Sequence, residues 1–403
     1  MTVSSAVVLA AGEGTRLRPL TRNRPKPMLP ATTRPILEYV LDALVDAGID
    51  RIHLVVGYRG DRVRDHFGSN YRGVTVSYAE QNKQLGSGHA LLAVRDDVDD
   101  AFLVVNGDQI IEAEMVADVR EAFGGGATNR DRPAAALAVI ERADVGEYGA
   151  VVMDGDRVRE IVEKPASDEY RLLNAGVYAF DERIFDAVES TPSAAGELAL
   201  TDTLARLLAT DAAVRGIVTD GLWVDATYPW DLLDVAHELL VRGRVSEPQR
   251  DDRLWVADSA RVHDSAVLQP PVVVGSDCDV HPGAVVGPYA TLGQGVTVGS
   301  NAVVERTVLD SDTRVGASAT LVDCVTGQSV SLGPGTAIPG GPGDVRVNGS
   351  IFEEQQLGAL LADRVRVGGN VSFVPGTLVG PEARIGPGVS VSGRVEEGAT
   401  IVR

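Results

Sequence analysis

Aliphatic residues recur at every sixth position along one stretch of this chain: Val256, Val262, Leu268, Val274, Val280, Val286, Leu292, Val298 and Val304. An α-helix repeats about every 3.6 residues and a strand every two, so neither accommodates this period. A period of six belongs to a hexapeptide-repeat, left-handed parallel β-helix, in which three hexads make a coil of about 18 residues. Each short strand turns its aliphatic inward. Small residues four positions later (Ala260, Ala266, Cys278, Ala284, Ala290, Ala302) let the chain turn a tight corner, and glycine often follows the aliphatic, as at Gly275, Gly287, Gly293 and Gly299. The register slips once near Asp310, resumes at Val315 and Leu321, and returns at Val367, Phe373, Val379, Ile385 and Val391. Residues 340–357, rich in glycine and polar side chains, break the repeat and read as a loop thrown out from a coil.

Ahead of the repeat the pattern changes. AVVLAA (6–11), IHLVVGY (52–58), VTVSYAEQ and AFLVVNGDQ (101–109) read as strands. RPILEYVLDALVDAG (34–48) carries apolar residues at helical intervals, and HALLAV belongs to another helix. This βαβα order implies an α/β Rossmann-like domain, with a mainly parallel sheet and helices on both faces. The polar, proline-bearing RVSEPQRDD stretch marks the boundary. The expected organisation is an α/β domain over 1–243, a linker over 244–255 and the β-helix over 256–403.

The formal net charge is −20, which repels nucleic acid and anionic membranes and argues against both as partners. Such acidity, with lysine almost absent, suits a halophilic protein. No long uncharged apolar run predicts a membrane span. The opening MTVSSAVVLAAGEGTR lacks a basic leader and a long apolar segment, so no signal peptide is expected and cytoplasm follows. Two cysteines, Cys278 and Cys324, make no disulfide framework and read as buried thiols in the repeat. Of 37 basic residues only three are lysines: Lys26, Lys83 and Lys164. Where arginine is the default, a retained lysine suggests a need for a compact point charge.

In LAAGEGTRLRPLT, Gly12 and Gly14 follow the first strand and suggest backbone amides approaching a phosphate. Leu17 stands where a dinucleotide fingerprint requires its third glycine, and no Walker lysine follows. Downstream, Arg16 and Lys26 lie on a segment stiffened by Pro19, Pro25, Pro27 and Pro30. Two cations beside a glycine cradle suit a triphosphate.

LAAGEGTRLRPLT and RPKPMLP, followed in order by QLGSGHAL, NGDQ, GEYGAV, EKP, NAGVY, GELALTD and WVDATYPWDLL, resemble the sugar-1-phosphate nucleotidylyltransferases. With the β-helix attached, the whole chain is similar to archaeal bifunctional GlmU-like proteins. The resemblance implies a nucleoside triphosphate, UTP or dTTP, at Leu9, Ala11, Gly12, Gly14, Thr15, Gln81, Gly86 and Ser87. It implies a sugar-1-phosphate (of glucose or N-acetylglucosamine) at Gly149, Glu163, Lys164, Asn174 and Glu197. Mg²⁺ would be held by Asp108 and Asp225, since this hard cation takes carboxylate and phosphate oxygens. The implied reaction is attack of a sugar-phosphate oxygen on the α-phosphorus with loss of pyrophosphate. The attacking phosphate is already ionised, so catalysis would be positioning and charge neutralisation by Arg16 and Lys26. Lys83 reads as a solvated loop charge.

In related bifunctional proteins the β-helix acetylates an amino sugar phosphate, using a histidine base within a stretch like I-P-H-L-S-Y-V-G-D. The matching stretch here, VGASATLVD (315–323), has Ala317 at the histidine position and Thr320 at the aromatic one. Acetyl transfer is therefore expected to be weak or lost. His263 and His281, one coil apart, read as exposed turn histidines. The β-helix is expected to serve homo-oligomerisation, a trimer being favoured. Two further readings compete: a truly bifunctional enzyme and a non-catalytic regulatory or assembly subunit.

Overall fold

The computed structural model describes residues 3–402 apart from 99, 125–131, 144, 147, 166–168, 194 and 195. Glu147 of the GEYGAV motif thus lies outside the described residues. By packing, the chain divides into Met1–Glu13 with Ile36–Val224, and Gly14–Pro35 with Asp225–Arg403. The proline-stiffened segment therefore groups with the repeat and not with the sheet.

The first unit runs β1 (Ser5–Ala10), α1 (Ile36–Asp46), β2 (Arg51–Val56), α2 (Gly60–Phe67), β3 (Asn70–Tyr71), β4 (Val74–Glu80), α3 (Ser87–Leu92), β5 (Ala101–Asn106), β6 (Gln109–Ile111), α4 (Ala113–Gly124) and β7 (Ala135–Glu141). It continues with β8 (Gly149–Asp154), β9 (Arg157–Glu163), β10 (Leu172–Asp181), α5 (Arg183–Ser190), α6 (Leu200–Ala209) and β11 (Val214–Val218), and β12 (Trp223–Asp225) runs across the boundary at Val224. Ten strands form one sheet in the order β3-β4-β2-β1-β5-β10-β7-β11-β9-β8. The expected parallel arrangement holds across β4, β2, β1 and β5; the near-continuous apolar runs of β2, β1 and β5 suit strands covered on both faces, whereas β4 alternates buried and exposed residues. β10 then runs antiparallel to both β5 and β7, and β8 and β9 form an antiparallel hairpin. Helices α3, α5 and α6 cover a core that includes Val7, Phe102, Val104, Leu137, Tyr178 and Phe180. Helix α4 packs on α1 and against β7 and β10. Strand order reverses at β1, and the crevice beyond the carboxyl ends at such a point is where ligands bind. There the Gly107 N–H donates to the Leu9 carbonyl at 2.9 Å and sets the turn that carries Asp108.

In the second unit, strands of two or three residues stack into three sheets, parallel except for Gln249–Asp251, which runs antiparallel to Leu254–Val256. Val256 pairs with Val274 and Val274 with Leu292, eighteen residues per coil, as the spacing predicts. The inward aliphatics form one continuous core from Val272 to Val395. The single slip expected near Asp310 is two, and another follows further on, where Val379 pairs with Val395 after sixteen residues. Leu292 pairs with Leu309 and Val308 with Val325, so two successive coils are one residue short. The shortened steps, Val304 to Leu309 and Leu321 to Thr326, fall at the same corner, and Thr326 fills the second inward place without an aliphatic signal. The stretch read as a loop is an ordered hairpin, Gly343–Val347 with Ser350–Gln355. Helix α7 (Asp231–Val241) lies against the strands Val308–Leu309 and Cys324–Thr326. Leu240 packs there with Trp255 and Val273.

No helix among the described residues is long and apolar enough to cross a membrane. Cys278 and Cys324 are buried and unbridged. Burial pushes the Cys278 thiol up to about 12 and raises that of Cys324 as well. A thiol at that value carries on the order of a thousandth of the thiolate of an ordinary cysteine near neutrality. Ellman's reagent at mildly alkaline pH is expected to leave both thiols untouched in the folded protein and to titrate both after denaturation. Prompt reaction of either native thiol would contradict the core assignment.

Candidate active site

The proline-rich segment folds into short 3₁₀ turns at Thr15–Leu17, Leu20–Arg22 and Lys26–Met28. Pro25 enters the last of these in the extended conformation, and Leu29 N–H closes it on the Lys26 carbonyl at 3.0 Å. Gly14 sits at φ +61, and a Cβ there would meet Lys26 Cβ at 2.8 Å. Glycine is therefore required both for the turn and for the approach of the lysine. The Thr21 hydroxyl donates to the Gly14 carbonyl at 2.8 Å and ties the two ends of the turn.

Lys26 Nζ donates to Asp225 Oδ1 at 2.7 Å, and both side chains are buried. The other carboxylate oxygen, Asp225 Oδ2, accepts from the Thr227 hydroxyl at 2.7 Å. The structure thus joins two predicted site residues, the catalytic lysine and a metal-ligating aspartate, 199 positions apart. Arg16 stacks on Tyr228, 5.7 Å from the ring centroid. Tyr228 in turn lies flat on Trp230, and both rings touch Phe352 of the hairpin. Sequence reasoning passed over Tyr228. Its signal was the aromatic pair inside WVDATYPWDLL.

Asp231 opens α7 and holds the loop that follows Asp225. Its Oδ2 accepts from the N–H groups of Thr227 and Tyr228 at 2.8 and 2.7 Å. Burial raises the Asp231 carboxyl to about 6; the two N–H donors oppose the shift, and the neighbouring Asp225 charge adds to it.

In the first unit the predicted nucleobase segment is tied to the start of α6. Gly86 adopts φ +94, and a Cβ there would strike the Leu198 carbonyl oxygen at 2.5 Å. Gly88 N–H donates to that oxygen at 2.8 Å. The Ser87 hydroxyl, expected at the nucleotide, accepts from Leu200 N–H at 2.9 Å. Gln81 is buried; its amide nitrogen donates to the Gly86 carbonyl at 2.9 Å and lies 3.1 Å from His89 Nδ1. Gln84 reaches the Ala11 carbonyl. Gly12 and Thr15 are exposed, and Lys83 is exposed as expected.

The three sugar-site motifs converge. A Cβ at Gly149 would lie 3.4 Å from Glu163 Oε2 and 3.7 Å from Asn174 Nδ2. Asn174 Nδ2 donates to the Tyr178 hydroxyl at 2.8 Å, and burial raises the tyrosine's pKa so that it stays a neutral phenol. Lys164 is exposed at φ +45, and Glu197 is exposed three residues ahead of α6. Asp108 is half-buried in the two-residue turn between β5 and β6.

Among the described residues no cluster of three or more histidine, cysteine or acidic side chains forms a protein-only metal cage. The oxygen donors present suit a hard cation that takes its remaining ligands from phosphate and water, as Mg²⁺ does. At Asp225 such a cation would displace the Lys26 ammonium from Oδ1.

The family model for nucleotidyl transferases matches residues 5–241, and one for the GMPPB C-terminal domain matches residues 268–372. The chain belongs to the nucleotidyl transferase family and is an enzyme of that class. It is 31% identical to the bifunctional protein GlmU of Methanocaldococcus jannaschii, over 99% of this chain and 97% of that one. It is 37% identical to the UTP–glucose-1-phosphate uridylyltransferase AglF of Haloferax volcanii, over 56% of this chain and 92% of that one. Among solved structures, a UDP-glucose pyrophosphorylase from Acinetobacter baumanii aligns with TM-score 0.52 and 25% identity, over 59% of this chain and 94% of that one.

Asp231 gives a pH dependence whose sign is fixed. Its folded pKa lies above the ordinary carboxylate value, so the native state takes up this proton more readily than the unfolded chain. As pH falls through about 6, wild type should gain stability relative to Asp231→Asn, which cannot titrate but can still accept both N–H bonds. Thermal melts of the two proteins from about pH 7 to about pH 5 check this. A difference that stays flat, or moves in favour of the variant, contradicts the assignment.

Proposed function

We propose that this enzyme joins UTP or dTTP to a sugar-1-phosphate, of glucose or N-acetylglucosamine, and releases pyrophosphate. The observation that carries this reading is the buried pairing of Lys26 with Asp225, beside a turn where only glycine at position 14 lets the lysine approach. Leu9, Ala11, Gly12, Gly14 and Thr15 form the triphosphate loop, and Gln81, Gly86 and Ser87 frame the base. Gly149, Glu163 and Asn174 receive the sugar, with Lys164 and Glu197 at its margin. Asp108 and Asp225 would hold Mg²⁺, which when bound would neutralise phosphate charge. Lys26 would serve the phosphate chain as a compact cation, and Arg16, braced on Tyr228, would hold that chain from another side. No side chain needs to act as a base, because the attacking phosphate is already an anion.

The β-helix offers no acetyl-transfer base where the bifunctional relatives carry one, since Ala317 is an exposed methyl group at a turn. His263 and His281 occupy equivalent corners of consecutive coils, and His263 Nδ1 is engaged with Ser265. We therefore assign the β-helix to assembly, as a trimer, in a cytoplasmic enzyme adapted to high salt and without nucleic-acid or membrane partners. Sedimentation at high salt tests the trimer.

Pyrophosphate release measured across a panel of triphosphates and sugar phosphates tests the main reading. Turnover with UTP or dTTP is expected, with kcat lowered about 10²-fold or more in Lys26→Ala and in Asp108→Ala. Full activity in either variant would refute the role given to that residue. Acetyl-CoA with glucosamine-1-phosphate should release no thiol, and turnover there would restore the bifunctional reading.

A further inference from the structure

Arg24 lies two residues ahead of Lys26 and is 5% exposed. Its guanidinium places Nη1 at 2.6 Å from Asp310 Oδ2 and Nη2 at 2.9 Å from Asp363 Oδ1. Burial alone would lower its pKa, but the two carboxylates outweigh burial and raise it above the ordinary value. Both acids belong to the β-helix, and both are oriented by its backbone. Asp310 Oδ1 accepts from Ser311 N–H at 2.7 Å, and Asp363 Oδ1 from Gln328 N–H at 3.0 Å.

The repeat departs from its own rule to make this site. Asp310 follows the first shortened step and stands where the coils before and after carry Gly293 and Gly327. Gly327 lies between the two acids, and a Cβ there would collide with the Asp363 carboxylate. A three-member buried ion cluster is an expensive way to gain stability, because desolvation offsets the attraction. Its value lies in geometry. Arg24 reaches Lys26 through one residue, Pro25, whose φ is fixed, and Pro27 fixes the far side. The loop of Asp225 is fastened to the same body by Tyr228 and Trp230 against Phe352.

We propose that Arg24 is a positioning residue for nucleotidyl transfer: with Asp310 and Asp363 it clamps the Lys26 loop onto the β-helix, which holds the catalytic ammonium in register with Asp225. The inference rests on the role given above to Lys26, and gives the β-helix a part in the chemistry beyond assembly.

The scarcity of lysine makes a direct test possible. Amine acylation followed by mass spectrometry reads Lys26 against exposed Lys83 and Lys164 in the full chain. In wild type, Lys26 should label about tenfold or more slowly than the other two. Arg24→Gln breaks the clamp. If that variant does not fold, the combination Arg24→Met, Asp310→Asn and Asp363→Asn leaves no buried charge unpaired and takes its place. In the variant that folds, Lys26 labelling should rise about tenfold with Lys83 and Lys164 unchanged, and kcat should fall about tenfold with the sugar-phosphate KM unchanged. In a Lys26→Ala background the same substitution should change kcat less than about twofold, because positioning acts through the lysine. Unchanged labelling with full kcat overturns the proposal, as does an equal loss of kcat in both backgrounds. Wild-type kcat in Lys26→Ala alone would instead sink the role of Lys26, and the labelling would still decide whether the clamp holds the loop.

Discussion

A buried ammonium against a buried carboxylate is the interaction on which the rest of this structure depends. Lys26 and Asp225 meet at 2.7 Å in surroundings that would penalise either charge alone. Such a pair persists only when both loops are held, and each is. Gly14 and Thr21 shape the first, and Asp231 draws in the backbone of the second. On the proposed function the pair would also be exchangeable: a divalent cation would compete with the ammonium for the carboxylate, and a phosphate would compete with the carboxylate for the ammonium.

The β-helix is a rigid ruler for such a pair. Its parallel strands repeat a fixed register, so a side chain placed at a corner has a defined height and direction. Glycine follows the inward residue at many corners, and the departures are informative. Asp310 appears where the register shortens, Asp363 follows the coil that carries the hairpin, and that hairpin, Gly343–Val347 with Ser350–Gln355, brings Phe352 to the aromatic pair behind Arg16. Local breaks in a regular repeat carry side chains that the repeat itself cannot supply.

Much of this was legible in the sequence, for physical reasons that differ from residue to residue. The β-helix was legible because its inward aliphatics have a period no other structure shares. Its second short coil was not, because Thr326 occupies an inward place with a polar side chain that hydrogen-bonds Asp310 N–H and Thr313. The hairpin was read as a loop because its glycines and charges mask the alternation of its strands. The direction of β10 was hidden because burial pattern says nothing about strand polarity. Lys26 stood out because lysine is rare here, whereas Arg24 was invisible because arginine is the default cation. Ser87 was read as a ligand contact from its motif, yet its hydroxyl holds the backbone at Leu200. The convergence of Gly149, Glu163 and Asn174 was legible only through motif order, since no spacing rule links β8, β9 and β10.

The exchange of partners at Lys26 is the central claim, and a crystal structure with Mg²⁺ and a non-hydrolysable nucleoside triphosphate tests it most directly. The account predicts that Lys26 Nζ leaves Asp225 for a phosphate oxygen, with Asp225 among the residues that would hold the metal. Density showing nucleotide and metal bound with the Lys26–Asp225 pair still closed would contradict it.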